Sequence, residues 1–332
     1  MQQKTKKIIP VFFAADKGEN TMQQKTKKII PVFVAADDNY LPYLAVSLHS
    51  LKKNASKEYK YNVHILHSGV NEQDAQKIQE FSEEGFISVA FDDVSEKLKS
   101  LSHSLQLRDY YTCSTYYRIF IAGMFPDYDK ALYLDSDTVV LDDISKLYET
   151  DLKDNLIGAV PDGAVGAVEP FKVYTKEVLG IDFEKYFNAG IILMNLKRFR
   201  EVDFYGKFQD LLQKYRFVVA QDQDYLNVIC KDSVCFLPGE WNRMPIAGGD
   251  TAPKIVHYNL TMKPWKKDGI KYAEIFWEYA KDTAFFDRIV KEKQSFTPEM
   301  EEADKKVEEG LIALSIQEAQ RADNYFKKYG NL

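Results

Sequence analysis

The sequence predicts an α/β protein: a mostly parallel sheet with helices on both faces, followed by a C-terminal helical appendage. Three observations predict it. Short β-branched apolar runs alternate with stretches carrying apolar residues at helical spacing, the pattern of strand–helix–strand units. The 332 residues are 45% hydrophobic and 14% aromatic, enough for the core such a sheet needs and too much for a disordered chain. Beyond Trp265 β-branched residues thin out while Lys and Glu become frequent, which marks a change from sheet to helix.

The chain opens on a duplication. MQQKTKKIIPVFFAAD at 1–16 recurs as MQQKTKKIIPVFVAAD at 22–37, with Phe13 against Val34 as the single change. Two copies do not make a solenoid, which needs at least three units. Only the second copy runs on into Asp38-Asn39-Tyr40, so residues 1–21 are expected to be dispensable. Residues 22–265 then form the main domain and 266–332 the helical appendage.

From the second copy onward the elements come in order. Residues 29–36 read as a strand, and 41–51 as a helix with Leu41, Leu44, Ala45, Leu48 and Leu51 on one stripe. A strand at 61–66, a helix at 72–81 and a strand at 86–91 come next. Residues 115–124 read as a helix stopped by Pro126. The strand 130–134 leads straight into Asp135. Further strands fall at 157–161, 190–195, 234–237 and 254–256, with helices at 203–215 and 222–230. Two helical stretches close the chain. The first places Tyr272, Ile275, Phe276 and Tyr279 on one face; the second opens at Thr297-Pro298-Glu299, with proline in the first turn.

Composition excludes several function classes. Lys+Arg is 44 against Asp+Glu 50, a net charge of -6, so the basic excess expected of a nucleic-acid binder is missing. No apolar run approaches the roughly 18 residues of a membrane span. The three cysteines, an odd number, suit a reducing interior rather than a disulfide framework. A cytoplasmic protein, with at most peripheral contact to the inner face of the membrane, is the expectation.

The strongest chemical signal is Leu132-Tyr133-Leu134-Asp135-Ser136-Asp137. Carboxylates at i and i+2 of an extended chain point to one side, with Cα atoms roughly 6.6 Å apart. A divalent ion can sit between them, and ligands of α/β sheets bind beyond the carboxyl ends of the strands. A calcium-binding helix–loop–helix is excluded, because its sixth position would be Val140 rather than Gly and its twelfth Lys146 rather than Glu. The competing reading is a pair of solvated acids in a turn. Two like charges near a sheet edge would repel, so Asp137→Asn is expected to leave folding intact.

Three more stretches surround this signal. Ala35-Ala36-Asp37-Asp38-Asn39-Tyr40 joins the first strand to its helix; small alanines allow close approach, Asp and Asn can bond a base edge, and Tyr40 can stack on it. Neither a dinucleotide fingerprint nor an ATPase P-loop occurs. Gln221-Asp222-Gln223-Asp224 opens a helix, either as simple capping or as polar groups for a ligand. His257 leaves a strand six residues before Lys263, a pairing that offers a metal ligand and a cation for phosphate.

Together with Tyr116-Tyr117-Arg118 and Tyr186-Phe187-Asn188-Ala189-Gly190, these ordered motifs resemble the family 8 glycosyltransferases, the group of glycogenin and the bacterial lipopolysaccharide galactosyltransferases. The resemblance runs from about Ile29 to Trp265. It implies a GT-A fold and transfer of a hexose, galactose or glucose, from a UDP-sugar with retention of configuration. It assigns Asp135, Asp137 and His257 to Mn²⁺ (or Mg²⁺). Ala35, Asp37, Asn39 and Tyr40 go to the uridine; Arg118, Asn188, Asp222 and Gln223 to the sugar pocket, the last three as the catalytic candidates; Asp135 and Ser136 to the bound UDP-sugar, and Lys263 to its diphosphate. The acceptor implied is a glycan, lipid-linked or protein-borne. Leu260 stands where the galactosyltransferases carry Gly between the His-Tyr and Lys-Pro-Trp segments. Two other readings stay open, a nucleotide-sugar-binding protein without catalysis and a sugar nucleotidyltransferase, although the acidic, aromatic loop after the first strand differs from the basic, Gly-rich loop usual in the latter.

Overall fold

The computed structural model describes residues 27–101, 113–246 and 251–330, so the first copy of the duplication lies outside the described residues. Seven strands form one sheet in the order β3-β2-β1-β4-β7-β6-β8. They are β1 (Ile29–Ala35), β2 (Lys60–His67), β3 (Ile87–Asp93), β4 (Ala131–Asp135), β6 (Ile157–Pro161), β7 (Phe187–Met194) and β8 (Val234–Phe236); β5 (Thr138–Val140) and β9 (Ile255–His257) pair separately. All neighbours in the large sheet are parallel except β7, which runs antiparallel to both β4 and β6.

Both faces of the sheet are covered, and the alternation along each strand shows how. Ile30, Val32 and Val34 of β1 enter one apolar cluster with Leu132 and Leu134 of β4. Phe33 enters the other with Ala131 and Tyr133. A strand buried on both sides carries no polar alternation, which is why these segments read as continuous apolar runs. The helix Leu41–Asn54, with Pro42 in its first turn, belongs to the first cluster.

Three expectations change. The stretch 115–124 is a 3₁₀ helix, Cys113–Phe120, that becomes α-helical only at Ile121–Met124. The Thr115 carbonyl there is engaged by Arg118 Nε at 2.9 Å, so a buried guanidinium helps set the tighter winding. The strand expected at 190–195 begins earlier, at Phe187, and is buried throughout. The first C-terminal stretch divides into helices Ala273–Ala280 and Phe286–Ser295, where Thr283 Oγ1 donates to the Ala280 carbonyl and closes the first of them. The second opens as expected, with Thr297 accepting from the Met300 N–H at the start of helix Pro298–Gln320, and a short helix Tyr325–Tyr329 comes after it.

These C-terminal helices touch both faces. Phe276, Tyr279, Phe285 and Ile289 are part of the first apolar cluster, whereas Leu314 and Ala319 pack against the second. Among the described residues no helix is long and apolar enough to cross a membrane.

Candidate active site

The carboxyl ends of β1 and β4 are neighbours in register, with Ala35 opposite Asp135. Ser136 Oγ donates to the Ala35 carbonyl at 2.6 Å and ties the two strand ends together. After Asp135 the chain turns tightly into β5, whose Thr138 lies opposite His257 of β9. This small two-stranded sheet delivers the histidine. His257 Nε2 lies 3.3 Å from Asp137 Oδ1 and 3.6 Å from Asp135 Oδ2. Among the described residues, these three form the one group of acids, histidines or cysteines placed to share a metal, with ligand atoms within 4.8 Å of one another.

The surroundings fit a cation. Asn242 Nδ2 donates to Asn188 Oδ1 at 2.9 Å, which turns the Asn242 carbonyl oxygen toward His257 Nδ1 at 3.1 Å. That network assigns the proton to Nδ1 and leaves the Nε2 lone pair facing the carboxylates, the usual arrangement behind a metal-ligating histidine. Asp135 Oδ1 accepts from Tyr133 OH at 3.0 Å and Arg118 Nη2 at 3.2 Å, so Oδ2 is the atom facing His257. Asp137 Oδ1 is buried with no hydrogen-bond partner. A buried carboxylate oxygen without a donor is costly unless something positive meets it.

Asp137 is not, however, a repelled acid. Its other oxygen accepts from Lys263 Nζ, which also donates to the Tyr258 carbonyl at 2.5 Å. Burial pushes the Asp137 carboxyl up, but the Lys263 ammonium outweighs it and holds the group below the usual carboxylate range. The expectation that losing one acid relieves repulsion is therefore overturned: Asp137→Asn would leave a buried ammonium short of its counter-ion.

Arg118 connects this centre to a second one. It is 3% exposed, lies over the Tyr133 ring, donates through Nη1 to the Ala189 carbonyl, and pairs through Nε with Asp222 Oδ2 at 3.2 Å. Burial raises Asp222 to about 6 against the pull of Arg118, with Asp135 adding to the rise. Gln221 makes no side-chain cap on the helix Asp222–Cys230; Asp224 Oδ2 instead accepts from the Ala220 N–H at 3.0 Å at the helix start, while Asp222 faces Arg118.

Gln223 and Asn188 are held by a closed set of bonds. Gln223 Oε1 accepts from the Ala189 N–H at 2.9 Å, and its Nε2 donates to Asp162 Oδ2 at 3.0 Å and Tyr186 OH at 3.2 Å. Asn188 Nδ2 donates to the same Asp162 oxygen at 2.9 Å. Beneath them Asp224 accepts from Tyr174 OH at 2.8 Å and Tyr186 OH at 2.7 Å.

Asp162, Asn242 and Gly190 were not among the predicted site residues. Asp162 had a signal: it comes directly after a buried strand, as Asp37 and Asp135 nearly do. Asn242 had none beyond its neighbouring Trp241. Gly190 stood inside a quoted motif, but its role is steric. A Cβ there would run into the His257 ring and come within 2.7 Å of Asp135 Oδ2.

The expected uridine loop sits beside the metal group. Asp37 Oδ1 accepts from the backbone N–H of Asn39 at 3.0 Å and of Tyr40 at 3.1 Å, and Asn39 is exposed. Lys263 Nζ lies 5.8 Å from the centroid of the Tyr40 ring, which joins this loop to the triad. Leu260 adopts φ +51°, a left-handed conformation that glycine takes without strain, and its side chain is 46% exposed.

The profile of Glycosyl transferase family 8 matches residues 31–269. The chain belongs to that family. Relatives include a Haemophilus influenzae protein named only provisionally as a glycosyltransferase, 32% identical over 62% of this chain and 61% of its own length. The lipopolysaccharide 1,2-glucosyltransferase of Escherichia coli K12 is 26% identical over 72% of this chain and 75% of its own. The chain thus spans less than two thirds of the Haemophilus relative. Among solved structures, the galactosyltransferase LgtC in complex with donor and acceptor sugar analogs superposes with a TM-score of 0.67 and 29% identity, covering 77% of this chain and 96% of LgtC. The bifunctional glycosyltransferase WbbM gives 0.70 and 26% over 83% of this chain but 53% of its own. The GT-A fold expected from the motifs is borne out by these likenesses and by the sheet itself.

Proposed function

We propose that the protein is a metal-dependent, retaining transferase that moves galactose or glucose from a UDP-sugar to a glycan, lipid-linked or protein-borne acceptor. One observation carries the reading most: Asp135, Asp137 and His257 converge beside the β1 loop, with a buried carboxylate oxygen of Asp137 left without a donor. The likeness to a lipopolysaccharide glucosyltransferase and to the galactosyltransferase LgtC supports a hexose donor. Mn²⁺ or Mg²⁺ held by the triad would supply positive charge against the diphosphate leaving group.

The chain's own residues do the rest. Ala35, Asp37, Asn39 and Tyr40 offer small side chains, acceptors and a ring for uridine, and Ser136 stiffens the strand end beneath them. Lys263 adds a second cation for phosphate charge. Asn188, Asp222 and Gln223 present a fixed polar wall to the sugar. Gln223 Oε1 is a neutral amide oxygen already bonded to a backbone N–H, a poor nucleophile, and Asp222, ion-paired with Arg118, is read as an acceptor for a sugar hydroxyl. That favours front-face attack, with the acceptor's proton passing to the departing phosphate.

A donor panel of UDP-glucose, UDP-galactose and non-uridine sugar nucleotides, incubated with Mn²⁺ and read by nucleotide release, tests the proposal. UDP release from one or both UDP-hexoses supports it. Binding without turnover would indicate a nucleotide-sugar-binding protein, and pyrophosphate chemistry would indicate a nucleotidyltransferase.

A further inference from the structure

The position of Lys263 asks for an explanation that a diphosphate contact does not supply. The residue is 5% exposed, and its ammonium lies against Asp137 Oδ2 and the Tyr258 carbonyl, inside the group of side chains that would hold a metal. The backbone on either side is pinned. Thr261 Oγ1 donates to Glu308 of the helix Pro298–Gln320, Lys266 pairs with Asp304 of the same helix at 3.1 Å, and the Lys263 N–H donates to the Thr261 carbonyl at 2.9 Å. Only the side chain is left to move, and a lysine stem is long and flexible enough to do so.

We propose that Lys263 is a built-in counter-cation of the metal pocket, resting on Asp137 until a divalent ion displaces it and then turning toward the donor's diphosphate. This rests on the metal-centre reading above. Asp135 already has Arg118 as its cation, but buried Asp137 beside a second acid would be expensive with none, and the ammonium lowers that cost by holding one of its oxygens. The same charge must repel an incoming ion and compete with it for an Asp137 oxygen. Removing the lysine should therefore have opposite effects on the two ligands. The bare ion should bind more tightly, and the nucleotide should bind less tightly.

Mn²⁺ alone, without nucleotide, is titrated into wild type, Lys263→Gln and Lys263→Arg and monitored by the electron paramagnetic resonance of the free ion. Lys263→Gln should bind at least about fivefold more tightly than wild type, and Lys263→Arg should not. UDP added with saturating Mn²⁺ should bind Lys263→Gln more weakly than wild type. Equal or weaker Mn²⁺ binding by Lys263→Gln, with wild type binding normally, overturns this inference and leaves the metal centre standing. No Mn²⁺ binding by wild type sinks both. A measurement on the unmodified protein guards against a variant that does not fold: acylation of Lys263 by an amine reagent, read by mass spectrometry, should rise when Mn²⁺ is added. An unchanged label at Lys263 overturns the displacement.

Discussion

Two acidic stretches leave neighbouring parallel strands, and they have opposite fates. After β1, Asp37 and Asp38 run into a helix. Asp37 Oδ1 takes the N–H groups of Asn39 and Tyr40, and exposed Asp38 accepts from the Asn71 N–H at 2.6 Å. After β4, Asp135 and Asp137 run into a tight turn and a short strand that has no free helix end to cap. Their oxygens face Arg118, Lys263 and His257 instead, and one Asp137 oxygen receives no hydrogen bond. Similar residues in similar places thus serve a turn in one case and form a charged pocket in the other. A helix after β1 and a second strand after β4 make the difference.

Replacing an acid by its amide at each site puts this contrast at risk. Asp137→Asn keeps shape but removes the charge, so nucleotide release should fall at least roughly tenfold, about 1.4 kcal/mol of transition-state stabilisation. It should also cost about 3 kcal/mol in a denaturant titration, because Lys263 stays buried beside a neutral partner. Next in size is Gly190→Ala. The added methyl meets the His257 ring and Asp135, so Mn²⁺ affinity in a direct titration should drop by about tenfold.

A third acid offers a pH test. Burial raises Asp224 to about 6 against the hydrogen bonds of Tyr186, Ala220 and Tyr174. Between the unfolded value of 3.8 and about 6 the folded protein keeps a proton that the unfolded chain has lost, so this group's contribution falls as pH rises. The melting temperature of wild type relative to Asp224→Asn should therefore decline across that window and level off above it. A flat difference would mean that the tyrosines hold Asp224 ionised. The smallest effect belongs to Asp38→Asn. Asn keeps an acceptor for Asn71, so stability should stay within about 0.5 kcal/mol and nucleotide release within about twofold of wild type. A loss at Asp38 as large as that at Asp137 would erase the contrast.

Much of this was legible in the sequence because it depends on local pattern. The apolar runs of β1 and β4 and the Asp135-Ser136-Asp137 turn are set by side-chain alternation and by acids placed at a strand end. The helix Asp222–Cys230 is set by spacing, and its acidic opening divides: Asp224 bonds the Ala220 N–H at the helix start, whereas Asp222 pairs with Arg118. What escaped depends on long-range packing. The burial of Arg118 within the 3₁₀ helix rests on contacts with Asp135, Ala189 and Asp222, each remote in sequence. Asn242 acts through His257 and Asn188, which no local spacing relates. The Lys263–Asp137 pair, 126 residues apart, reversed the expected effect of Asp137→Asn on folding.

If the acids after β4 and the histidine of β9 serve a metal, sugar transfer should stop without one. The decisive measurement is nucleotide release from the best UDP-hexose, in chelator and again after Mn²⁺ is restored. Turnover should vanish in chelator, return with Mn²⁺ in wild type, and stay below the wild-type level in Asp137→Asn. Full turnover in chelator, by wild type or by Asp137→Asn, would contradict the metal role of these residues.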